Sequence, residues 1–145
     1  MKTTKKRLTV AVSVMMVLVF AITMTGCGGG GASSVVNAFF DAIDKQDVKK
    51  FYNCFEEDVA EMLREFVDDD MMKNQLEMLD EILTDEYGKN WRSKIKVGKA
   101  EEVDKDGDVT YYEVKVTMED EDDYIPVVKI KGKYYLDQDA MGSWF

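Results

Sequence analysis

The hydrophobic period of this chain changes near Trp91, and that change divides what it can fold into. Before it, apolar residues recur every three or four positions; after it, they alternate with polar ones. In the first half, Ser33 or Ser34 is placed to cap a helix whose inner stripe is Val36, Phe39, Phe40 and Ile43. Lys45-Gln46-Asp47 ends it, and Asp47 is placed to cap a second helix with Val48, Phe51, Tyr52 and Phe55 on one face. Glu56-Glu57-Asp58 puts acids at a third helix start, where the helix dipole favours them, and Val59, Met62, Leu63 and Phe66 continue the apolar stripe. Asp68-Asp69-Asp70 restarts the count for Met72, Leu76, Leu79 and Leu83, and Gly88 closes the helical half.

From Trp91 the period of two predicts four strands. Ile95 and Val97 lie in the first, Gly98 marks a bulge, and Asp106-Gly107-Asp108 is a hairpin turn. The second strand puts Tyr112, Val114, Val116 and Met118 inward, and Tyr111, Glu113, Lys115 and Thr117 outward. Glu119 to Asp123 reads as an acidic turn. A third strand covers Tyr124 to Lys131, with Pro126 at an edge, a bulge or the strand start. Lys131-Gly132-Lys133 turns the chain into a last strand ending at Leu136. Helices first and an antiparallel meander afterwards is an α+β domain.

The N-terminus carries a different signal. Lys2, Lys5, Lys6 and Arg7 precede an almost wholly apolar run from Leu8 to Phe20, the order of an export signal. The boundary Met24-Thr25-Gly26-Cys27 resembles the lipobox of bacterial lipoproteins, with Met24 where Leu is usual. That resemblance implies a signal peptide over 1–26, acylation of Cys27 and attachment to the extracytoplasmic face of the bacterial cell membrane. An uncleaved spanning helix over Leu8–Thr25, about 18 residues, is the alternative. Residues 27–34 read as the lipidated cysteine and a Gly/Ser tether, reaching roughly 15 Å as a flexible coil.

Loss of the four N-terminal cations takes the net charge from −10 to −14, with 15 Lys and Arg against 29 Asp and Glu. Such a surface repels nucleic acid and leaves the acyl chains as the membrane attachment. The absence of histidine excludes Ser-His-Asp triads and His-Cys zinc sites. With Cys27 committed to lipid, Cys54 has no disulfide partner, and its place in an apolar helical pattern reads as a small buried side chain.

Val35-Val36-x-x-Phe39-Phe40-x-Ala42-Ile43-x-x-x-Asp47 resembles the opening of the NTF2-like (SnoaL-like) superfamily, and Val127 to Leu136 resembles its final hairpin. The resemblance covers about residues 33–140 and implies an NTF2-like domain over 35–145. Its fold is a curved antiparallel sheet wrapped around helices into a cone with a cavity. It also leaves open a homodimer through the outer sheet face.

Phe40, Tyr52, Phe55, Trp91 and Tyr112 are the candidate cavity lining, suited to a small apolar ligand. Asp104, Asp106 and Asp108 have the spacing that opens a calcium loop, but Gly107 is misplaced and Lys115 stands where a closing Glu belongs; a solvated turn is the plainer reading. Met62, Met71, Met72 and Met78 suggest Cu(I), yet core packing accounts for them as well. No cofactor is expected. These readings favour a non-catalytic module for a small apolar ligand or an envelope protein. The alternative is an enzyme of the SnoaL/ketosteroid-isomerase type with a cavity Asp or Tyr as base.

Overall fold

The computed structural model describes residues 31–141. The signal peptide expected over 1–26, Cys27 and the glycines before Gly31 lie outside the described residues. The chain is α+β: helices α1 (Ala32–Lys45), α2 (Val48–Asn53), α3 (Glu57–Phe66) and α4 (Asp69–Tyr87) precede the sheet. A short turn of helix, α5 (Trp91–Lys94), leads into strands β1 (Ile95–Asp106), β2 (Val109–Met118), β3 (Glu121–Ile130) and β4 (Lys133–Leu136), followed by α6 (Gln138–Met141).

The helix starts differ from the sequence reading at one end. Gly31, in extended conformation, is the N-cap of α1, and no side chain caps it. Ser33 and Ser34 lie inside the helix, and Ser33 Oγ donates instead to the carbonyl of Gly98 on β1 at 2.8 Å. A tertiary acceptor has claimed the hydroxyl, so the helix begins three residues before the expected domain boundary at 35. The other caps form as expected. Asp47 accepts from the Lys50 amide at 3.0 Å, and Asp68 accepts from the Met71 amide at 2.8 Å. Each satisfies an amide that the first turn leaves orphaned.

Two apolar assignments are corrected. The α3 stripe is only half core: Val59 and Leu63 pack partly buried against it, but Met62 is 45% and Phe66 77% exposed, and Ala60 is the buried residue of that helix. This helix packs chiefly against the short α2, so only its near side is covered. Trp91 is not in a strand. It opens α5, and that helical turn swings its indole into the core, where it is wholly buried.

The sheet is an antiparallel meander in the order β1-β2-β3-β4. Gly98 sits at a register shift between Val97 and Ala100, the expected bulge. A Cβ there would lie 3.2 Å from the Lys115 carbonyl oxygen, so the close strand approach requires glycine. In the β3–β4 turn Lys131 and Gly132 both have positive φ, 50° and 80°, as a tight hairpin of matching twist demands. Pro126 lies within β3 on a stretch that is an edge. Pairing with β4 starts at Val127↔Leu136, and the Asp137 amide donates to the Pro126 carbonyl at 3.0 Å. The imide nitrogen therefore faces the side where β4 has ended, and no ladder bond is lost.

The acidic run is more ordered than expected. Only Glu119 and Asp120 form the turn, while Glu121, Asp122 and Asp123 pair with Met118, Thr117 and Val116. Asp122 accepts from Thr117 Oγ1 at 2.7 Å and meets Lys115 Nζ at 3.2 Å, which holds its carboxyl below the usual range. One core joins both halves: Val36, Phe39, Phe40 and Ile43 of α1 meet Val114 and Val116 of β2, Ile125 and Val127 of β3, and Leu136 of β4. Helix α1 touches all four strands, both edges included.

Candidate functional site

Strand alternation and a shortage of covering chain together create an apolar cleft. Along β3, Val127 and Ile125 face the core, so the same parity turns Asp123 and Glu121 inward. They pair with Val116 and Met118 at the far end of β2. Here α1 and α4 do not close over the sheet. A cleft of about 290 Å³ remains between Phe39, Phe40 and Ile43 of α1, Leu79, Leu83 and Tyr87 of α4, and the β2–β3 end, with Met141 of α6 beside it. Ile82 and Glu86 complete its α4 wall.

The interior is hydrocarbon and the mouth is acidic. Glu86, Glu121 and Asp123 are the charged residues of the lining, and no lysine or arginine is among them. Partial burial raises the Tyr87 phenol above its ordinary value, and the carboxylates of Glu86, Glu121 and Glu119 raise it further. Lys94 Nζ donates to the backbone carbonyl of Tyr87 and so lies near this wall without lining the cleft. Lys115 pairs with Asp122, whose side chain alternates to the opposite face from Glu121 and Asp123.

Of the five aromatics expected to line a cavity, Phe40 does so. The other four are core residues outside this lining. Tyr52 donates from its hydroxyl to the Val67 carbonyl at 3.3 Å, beneath the Arg64 guanidinium. Phe55 packs edge-on against Phe51 at 5.2 Å between centroids, and Tyr112 lies 5.7 Å from Tyr134. Trp91 donates its indole N–H to Asp80 at 2.7 Å. Aromatic content identified well-packed residues; it did not separate core from cleft. Leu79, Leu83, Val116 and Met118 were each read as core-facing, and only tertiary packing leaves them bordering open space. Glu121 and Asp123 were legible in principle, by counting back in twos from Ile125.

A second, wider depression of about 460 Å³ lies at the other end of α1, beside Gly31, Val35, Lys50, Cys54 and the β4 residues Lys133 to Tyr135. None of the expected aromatics borders it. Among the described residues no three acidic or cysteine side chains come together in a way that holds a metal ion, so Asp104, Asp106 and Asp108 do not converge. The four methionines are also dispersed: Met72 is buried, while Met62, Met71 and Met78 face outward.

Cys54 is buried, and its Sγ lies 3.3 Å from the Lys50 carbonyl. Burial pushes the thiol up to about 12, only partly offset by the Lys50 charge. It is therefore a neutral packing group at physiological pH, without thiolate character. The unfolded thiol ionises near 9 and the folded one near 12, so this contribution is complete below pH 9 and is lost as pH rises toward 12. The wild type should lose about 1.4 kcal/mol per pH unit over that window beyond what Cys54→Ala loses. Urea midpoints of both proteins at two pH values check this; a gap independent of pH contradicts it.

No protein-family model matches the chain, and neither a curated protein nor a solved structure matches it. Among the described residues no helix is long and apolar enough to cross a membrane.

Proposed function

We propose that this chain is a lipid-anchored, extracytoplasmic binding protein whose NTF2-like domain holds a small apolar ligand without transforming it. The observation that carries the reading is the cleft between α1, α4 and the β2–β3 end. It is walled by hydrocarbon and, at about 290 Å³, near the lower bound of small-molecule sites. A monocyclic aromatic or a short alkyl chain matches that size.

The contact of α1 with all four strands is in keeping with a sheet wrapped around that helix. The chemistry of the interior supports binding over catalysis. The hydroxyls of the buried Tyr52 and Tyr112, the aromatic candidates for a base, do not border the cleft.

The test uses the full chain in zwitterionic lipid nanodiscs with ¹³C-methyl methionine. Met118 and Met141 border the cleft, while Met62, Met71 and Met78 are exposed elsewhere. Titration with 2-phenylethanol should shift Met118 and Met141 saturably and leave the exposed three unmoved. Failure to shift Met118 and Met141 overturns the proposal.

A further inference from the structure

We infer that the cleft selects ligands that carry a positive charge at one end of an apolar body, such as a primary amine on an aromatic or short alkyl group. The inference rests on the binding reading above and deepens it.

The cleft has two chemically distinct zones. Its wall is made of apolar side chains from α1 and α4 together with Val116, with the Tyr87 phenol as its one neutral polar group. Its mouth holds Glu86 from α4 and Glu121 and Asp123 from β3, three carboxylates from two elements. The two on β3 point inward because the strand's alternation continues past the point where the core ends. Both are solvent-exposed, and Asp123 also accepts from the Tyr124 amide at 2.8 Å.

Two cations lie nearby. Lys115 is engaged with Asp122 on the outer face; Lys94, bonded through Nζ to the Tyr87 backbone carbonyl, keeps its charge but does not line the cleft, where the three carboxylates outnumber it. The Tyr87 phenol senses Glu86, Glu119 and Glu121, all acting in one direction. A ligand ammonium at the mouth therefore meets net negative charge while its apolar body displaces water from the wall. A carboxylate of the same shape meets repulsion, and a neutral alcohol meets neither.

The experiment extends the methyl titration to three ligands of matched shape: 2-phenylethylammonium, 2-phenylethanol and 3-phenylpropanoate, at neutral pH and low salt. The ammonium should shift Met118 and Met141 with an affinity about tenfold or more above that of the alcohol, and the carboxylate should bind most weakly. Glu121→Gln combined with Asp123→Asn should bring the ammonium down toward the alcohol. Met72, buried in the core, reports whether that variant keeps its fold. If the variant unfolds, the order of the three ligands on the wild type decides. Equal affinity of ammonium and alcohol overturns the charge selection and leaves the apolar site standing. No shift with any of the three removes the site itself, and this inference with it.

Discussion

Replacing Trp91 with alanine is expected to remove about 3–5 kcal/mol of folding stability, the range for deleting a fully enclosed large aromatic. Trp91 is 0% exposed and is the largest of the fully buried side chains. It stands where the helical half becomes the sheet, after the Gly88 cap and just before β1 begins. Its indole N–H donates to one oxygen of Asp80 at 2.7 Å, and the other oxygen accepts from Gln46 at 3.2 Å. One carboxylate thus joins α5, α4 and the turn after α1. Next to Trp91, Arg92 pairs with Asp41 at 2.8 Å and bonds Asn37 at 3.0 Å, so α5 is tied to α1 as well. Trp91→Phe keeps most of the buried area but loses the bond to Asp80, and should cost roughly half as much. Urea denaturation with unchanged slope measures both. A domain of this size has only about 5–15 kcal/mol in total, so the alanine variant should sit near its unfolding threshold. A loss below about 1 kcal/mol would show that the indole is not enclosed.

Cys27→Ala should abolish incorporation of labelled palmitate and leave the precursor uncut. The argument is electrostatic as well as chemical. On the proposed reading the mature chain has a net charge of −14 and no general attraction to an anionic bilayer, so no other part of it would replace the acyl chains. Two acyl chains hold a protein stably where one is marginal. The expected effect is all-or-none, read by labelling and by the size of the precursor. Undiminished labelling of the variant would overturn the anchor.

Much of the architecture was legible from local chemistry. Asp47 and Asp68 cap helices because a side-chain oxygen finds an amide three residues away, a contact that needs no other part of the fold. The Gly98 bulge, the Gly107 turn and the place of Pro126 likewise follow from backbone constraints of single residues. The misreadings share one cause. Ser33 could cap its own helix, but Gly98, 65 residues away, accepts its hydroxyl. Met62 and Phe66 carry a clean helical stripe, yet little of the chain covers that face. Trp91 precedes an alternating segment and still belongs to a helical turn, because Asp80 and the surrounding core draw it inward.

The cleft shows the same division. The α+β order and the alternation of β2 were legible from near neighbours and a fixed alternation of side chains; that the alternation of β3 runs back to Glu121 and Asp123, read as a turn, came from their pairing with β2. Packing of the whole chain is what leaves Phe40 beside open space while Tyr52, Phe55, Trp91 and Tyr112 are enclosed. An aromatic side chain has the same local signature in either place. Where helices of fixed length run out over a sheet is a property of the whole assembly, and that shortfall leaves an apolar cleft with acids at its mouth.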